Sequence, residues 1–318
     1  MPEPDAAVVG AGVSRRRILL AAPRSFCAGV ERAIDVVERA LQRYGRPVYV
    51  RRQIVHNTHV VRDLESKGAI FVEELSDVPD GAVVVLAAHG VAPSVRDEAD
   101  RRSLLTVDAT CPLVAKVHRE ARRYADAGYA IVLVGHADHE EIVGTVGEAP
   151  DEIALVATVD DVLRLQLPAD RPVAYLTQTT LATDETGQVV DALRTRFPSL
   201  EGPAADDICY ATQNRQDAVR LLAAECDVIL VVGSRNSSNS NRLVEVARRA
   251  GCAAHLVEDE GEIHPSWIDG AATIGLTAGA SAPEAIVQRV VDALGADEVV
   301  ERHLVVESVH FTLPPEVR

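Results

Sequence analysis

The stretch Ile18-Leu19-Leu20-Ala21-Ala22-Pro23-Arg24-Ser25-Phe26-Cys27-Ala28-Gly29-Val30 decides the fold. It opens with five apolar residues in a row, a short run that reads as a strand. A polar turn with Pro23 and Gly29 follows. Val30, Ile34, Val37 and Leu41 then recur at helical spacing, and Gly45 stops the pattern. Strand, chemical loop, helix is therefore the expected unit.

The unit recurs along the chain. Strands are expected over 48–54, 82–88, 104–107, 130–134, 153–157, 173–176, 228–232, 254–257 and 273–276. Helices are expected over 58–67, 113–127, 140–147, 185–196, 213–225, 241–250 and 283–294. This alternation predicts an α/β protein whose parallel sheets are covered by helices. In such sheets ligands bind beyond the carboxyl ends of the strands, and the polar clusters of this chain fall there.

Bulk properties narrow the class. The 318 residues are 47% hydrophobic and 25% charged, ordinary for a globular chain with a sizeable core. A net charge of −16 gives no overall attraction for nucleic acid or anionic membranes. An anionic substrate must then be held by local donors. No apolar run is long enough for a transmembrane helix. At the amino terminus the apolar stretch precedes its arginines, the reverse of a secretory signal, so the cytoplasm is the expected compartment. Gly10-Ala11-Gly12 lacks the third glycine of a dinucleotide fingerprint and reads as linker.

Five cysteines are present. Cys226 and Cys252 lie in or near apolar segments and read as small buried hydrophobes. Cys27, Cys111 and Cys209 sit at strand–helix junctions among small and polar residues, spaced far too widely for a local zinc knuckle. Two readings stay open for these three: buried thiols, or a metal centre with three protein ligands and one position left for chemistry. His56, His89 and the His136–Glu141 run also follow apolar strands. His139-Glu140-Glu141 is no zinc-protease helix, because position 143 is Val. Glu141 is a candidate proton donor. The run Gly233-Ser234-Arg235-Asn236-Ser237-Ser238-Asn239-Ser240-Asn241 sets hydroxyls and amides at a helix start and predicts an anion cradle. Gly279-Ala280-Ser281-Ala282-Pro283 repeats the logic, and Thr177-Gln178-Thr179-Thr180 adds a further hydroxyl cluster.

Taken together and in order, these clusters resemble the 4-hydroxy-3-methylbut-2-enyl diphosphate reductase family (LytB/IspH), from about Arg17 to Pro315. The resemblance rests on Pro23–Val30, Val55-His56-Asn57, Ala88–Val91, Asp108–Val114, Gly135–Gly147, Thr177–Leu181, Asp207–Thr212, Gly233–Leu243 and Thr277–Glu284. It implies three similar α/β lobes with mainly parallel sheets, in pseudo-threefold arrangement around a central iron–sulfur cluster. The implied lobes span 16–111, 112–205 and 206–296, the first strand and the Cys27 loop being able to pack with the third. Residues 1–15 would be a flexible extension and 297–318 a tail packed on the core.

The implied cofactor is one [4Fe–4S] cluster held by Cys27, Cys111 and Cys209, with an open fourth iron. The implied catalytic residues are Glu141 as proton-relay acid, Thr179 and His139. His56, His89, His139, Thr179, Ser237, Ser238, Asn239 and Ser281 would bind an allylic diphosphate. The implied reaction is reductive dehydroxylation to isopentenyl and dimethylallyl diphosphates, with ferredoxin or flavodoxin as electron donor, in a monomer or weak dimer. Glu140 departs from the family, which usually has Pro there. A zinc-dependent hydrolase with a Cys/His site and a non-catalytic iron–sulfur sensor are the competing readings.

Overall fold

In the computed structural model, residues 16–318 are described; the expected extension over 1–15 and its Gly10–Gly12 motif lie outside them. The strands are β1 (Arg17–Ala22), β2 (Val48–Arg51), β3 (Ala69–Val72), β4 (Val83–Leu86), β5 (Leu105–Asp108), β6 (Ala130–Val134), β7 (Ile153–Val156), β8 (Val173–Thr177), β9 (Val228–Val232), β10 (Ala253–Val257), β11 (Thr273–Ala278) and β12 (Glu298–His303). The helices are α1 (Ala28–Tyr44), α2 (Thr58–Lys67), α3 (Pro93–Arg101), α4 (Pro112–Asp126), α5 (Glu140–Val146), α6 (Val159–Arg164), α7 (Thr183–Arg196), α8 (Tyr210–Ala223), α9 (Ser238–Arg249), α10 (Pro265–Ile268) and α11 (Glu284–Leu294).

Among the described residues three sheets form, and every strand pairing in them is parallel. Their orders are β10-β9-β11-β1-β12, β3-β2-β4-β5 and β7-β6-β8. The first strand of the chain thus lies between β11 and β12, in register from Arg17 opposite Thr273 and Glu298. Chain order alone would have put it beside β2. Buried on both faces, Ile18, Leu19 and Ala21 are wholly covered, which only an interior strand permits.

The apolar stripe of α1 buries Val30, Ala33, Val36, Val37 and Ala40 against β2 and β4 residues Val48, Val50 and Val85. Covering each such valine stabilises the fold by about 1.5–3 kcal/mol. Asn57 caps α2, its side chain accepting from the His59 and Val60 amides; such a cap contributes about 1 kcal/mol and fixes the turn that presents His56.

Several elements were not expected from the apolar pattern. β3 follows Gly68 directly, and its Ile70 is exposed. α3 buries only Ala99 and carries charges on most of its surface. β12 is an edge strand in which Glu298, Glu301, Arg302 and His303 interrupt the apolar residues. The expected strand over 48–54 ends early at Arg51, because Arg52 adopts a left-handed backbone with φ 56°. Among the described residues no helix is long and apolar enough to cross a membrane.

Candidate active site

The loops leaving the carboxyl ends of eight strands surround one cavity of about 110 Å3. β1 leads to Cys27, β2 to His56, β4 to His89 and β5 to Cys111. β6 leads to His139 and Glu141, β8 to Thr179, β9 to Ser237–Asn239 and β11 to Ser281. Cys209 arrives on the segment before α8. Every residue to which the resemblance assigned a ligand, catalytic or substrate role lines this cavity. His136 does not; it is exposed, and its Nε2 lies 3.4 Å from an Arg242 nitrogen.

Each of the three cysteines is the capping residue of a helix: Cys27 of α1, Cys111 of α4 and Cys209 of α8. Helix starts favour negative charge, so all three thiols stand where a thiolate is best tolerated. Each cysteine N–H also donates to a carbonyl of another cavity loop: Cys27 to Ala280 (3.2 Å), Cys111 to Ala88 (2.9 Å) and Cys209 to Thr179 (3.1 Å). Backbone hydrogen bonds therefore tie every cysteine to a loop bearing a polar cavity residue. At two of them burial outweighs the helix start: Cys111 is pushed up to about 12 and Cys209 to about 11.

Glu141 is wholly buried, and burial pushes its carboxyl up to about 7. The Thr179 N–H (2.7 Å) and hydroxyl (2.8 Å) donate to its two oxygens and pull the other way without cancelling that rise. His139 caps α5, with Nδ1 accepting from the Glu141 N–H at 3.2 Å. That bond leaves the ring proton on Nε2. The His56 and His89 rings stack at 4.0 Å, and His139 stands edge-on to both at 5.6 and 5.9 Å. Burial lowers His56 and His139 to about 3 and His89 to about 4, so all three are neutral at pH 7.

The polar end is built on the start of α9. Ser237 caps the helix by accepting from the Ser240 N–H. The Ser238 hydroxyl accepts from Thr180 at 3.0 Å. The Asn239 side-chain oxygen accepts from the Ala280 N–H at 2.9 Å, and the Ser281 hydroxyl donates to the His56 carbonyl at 3.0 Å. Among the described residues no Arg or Lys lines the cavity, so an anion here meets helix-start N–H groups, hydroxyls, an amide and imidazoles. Glu140 lies just outside, with its carboxylate 3.5 Å from His89 Nδ1 and 3.9 Å from Arg52.

Whether the three thiols suit a metal cluster is tested by Gly29. A Cβ there would lie 2.8 Å from Cys111 Sγ and 3.8 Å from Cys27 Sγ. The two thiols thus face one small space that a single methyl group would enter. Among the described residues no three His, Cys, Asp or Glu side chains close in tightly enough for a single metal ion. Thiolate donors at three helix starts around one space are the donor set that an iron–sulfur cluster takes. The residues fit the implied group. Gly29→Ala is expected to leave the fold intact and to lower iron and sulfide content well below that of the unaltered protein, as metal analysis would show.

Three further residues of the cavity were given no individual role from the sequence. Phe311, from the carboxy-terminal segment, forms part of its wall, and no pattern around it signals this. Thr180 and Thr212 also line it. Thr180 is foreshadowed by its hydroxyl cluster, whereas Thr212, bonded 3.1 Å from Cys209 Sγ, is marked only by its nearness to that cysteine.

A family model described as LytB protein matches residues 18–295. A Cutibacterium acnes protein named 4-hydroxy-3-methylbut-2-enyl diphosphate reductase is 57% identical over 98% of this chain and 98% of its own. The protein of that name from Acidothermus cellulolyticus is 58% identical over 96% of this chain and 91% of its own. The solved E-1-hydroxy-2-methyl-but-2-enyl-4-diphosphate reductase of Plasmodium falciparum superposes with a TM-score of 0.92 at 38% identity, covering 94% of this chain and 96% of that one.

Proposed function

The chain belongs to the LytB family of 4-hydroxy-3-methylbut-2-enyl diphosphate reductases, and from that premise we propose how its cavity performs the family's reaction. The reaction is reductive dehydroxylation of 4-hydroxy-3-methylbut-2-enyl diphosphate to isopentenyl and dimethylallyl diphosphates, the terminal step of the non-mevalonate pathway. Two electrons and two protons enter. The allylic C–O bond breaks, and the hydroxyl leaves as water.

Cys27, Cys111 and Cys209 would hold a [4Fe–4S] cluster with one iron left open. When bound, such a cluster supplies the electrons and a Lewis-acid site, which no side chain here can provide. The Ser237–Asn239 helix start, Ser281, His56 and His89 hold the diphosphate and so fix the carbon skeleton relative to the cysteines. Three initially neutral imidazoles beside a polyanion will draw in protons as it binds.

Glu141 delivers a proton to the departing hydroxyl. The observation that carries this role is a wholly buried carboxyl, raised to about 7 and fixed by two Thr179 donors. The raised value keeps much of it protonated at neutral pH, and Thr179 holds its direction. His139, whose ring proton is on Nε2, lines the same space. The electrons would come from a small one-electron donor, ferredoxin or flavodoxin.

An acid must be protonated to act, so kcat is expected to fall as pH rises through about 7, by about tenfold per unit beyond. A kcat–pH profile taken with a strong chemical reductant checks this; a flat profile between pH 6 and 9 would contradict the role. The overall reading is tested by an anaerobic absorption spectrum together with turnover on the allylic diphosphate. A colourless zinc protein would favour a hydrolase, and a brown protein without turnover would favour a sensor.

A further inference from the structure

Arg215 is 0% exposed, yet it takes no part in the chemistry above. It sits on α8, two turns after Cys209. Its Nη2 donates to the Ser25 carbonyl at 2.7 Å, and its Nη1 donates to Ala211 and to Glu307 Oε1, both at 3.0 Å. Glu307 lies in the carboxy-terminal segment after β12 and accepts as well from Asn214 at 3.0 Å. Ser25 holds a left-handed backbone with φ 58° two residues before Cys27, a conformation a non-glycine residue adopts only when its surroundings impose it.

A second arginine mirrors the arrangement. Arg32 on α1 donates to the Thr312 carbonyl at 2.8 Å and to the Ala109 and Thr110 carbonyls at 3.1 and 3.2 Å. Those two carbonyls belong to the loop that ends at Cys111. The segment between Glu307 and Thr312 therefore meets both arginines, and its Phe311 lines the cavity.

We propose that Arg215 is a positioning residue for the metal centre, holding the Cys27 loop on the helix that starts at Cys209, and that Glu307 makes the carboxy-terminal segment part of this framework. The proposal rests on the reading of the three cysteines as ligands. A guanidinium suits the task because its fork reaches two carbonyls and a carboxylate at once; lysine offers one point charge. Burying it costs solvation that Glu307 offsets, so the latch holds only while the segment is docked.

Removing one partner alone would strand a buried charge and could unfold the protein. The informative variant is Arg215→Met/Glu307→Leu, which replaces both charges by apolar groups of similar volume and can leave stability nearly unchanged. Holoprotein would be exposed to a ferrous-iron chelator and the decay of its visible absorbance followed, alongside the melting temperature of the apoprotein. We expect the double variant to melt close to the unaltered protein and to lose its cluster about 10- to 100-fold faster. Arg215→Lys, which keeps the charge beside Glu307 but offers one point of contact in place of the fork, should lose its cluster at a rate between the two. An unaltered rate in the folded double variant would overturn the proposal. So would a rate increase matched by general destabilisation of the apoprotein. The ligand reading fails separately, if Cys27→Ser and Cys209→Ser retain full iron and sulfide.

Discussion

Glu141→Gln is expected to lower kcat by about 10²- to 10⁴-fold, the usual contribution of a positioned general acid. Its visible absorbance and its affinity for the diphosphate should stay close to those of the unaltered protein. The substitution conserves shape. The amide oxygen can still accept from the Thr179 N–H, and the Thr179 hydroxyl can rotate to accept from the new NH₂ group. What disappears is a proton that can leave. Because Glu141 is wholly buried, bulk acid cannot stand in for it at the reacting oxygen. The kcat limb near pH 7 should vanish with it, since that limb reports the lost carboxyl. Single-turnover kinetics against substrate binding separate the two effects; near-normal turnover would sink the proton-relay role.

Cys111→Ser is expected to lose or degrade the cluster and with it all turnover. A serine hydroxyl is shorter, harder and far less acidic than a thiol, so it is a poor partner for iron in this setting. The fold should survive, because Ser fits the space and α4 still begins at Pro112. Burial already places the free Cys111 thiol at about 12. Loading a cluster must therefore release protons, and reconstitution should be favoured at alkaline pH. Iron and sulfide analysis with the anaerobic spectrum decides the matter. A brown, fully loaded variant would contradict the ligand assignment.

Much of this was legible in the sequence for a physical reason. Buried parallel strands need unbroken apolar runs, and amphipathic helices need period-3.6 stripes, so the α/β class shows in the apolar pattern alone. The polar clusters are legible because their composition exceeds what caps and turns require, as at Ser237–Asn239. Elements that bury little side-chain surface left no such trace. α3 and the edge strand β12 are stabilised by what they pack against, and their own residues are mostly charged. Glu140 shows the same limit: only packing brings it near His89 and Arg52.

The sequence by itself determined the strand–loop–helix units, the residues able to carry chemistry and, through their order, the family. Three things were decided only by tertiary structure. β1, which the resemblance allowed to pack with the third lobe, takes its place between β11 and β12, where its apolar residues are covered on both faces. The three cysteines meet because each N–H bonds to a carbonyl of another cavity loop. Glu141 becomes an acid of near-neutral strength because packing strips its water. Each of these depends on contacts between residues far apart in the chain, and local periodicity holds no record of such contacts.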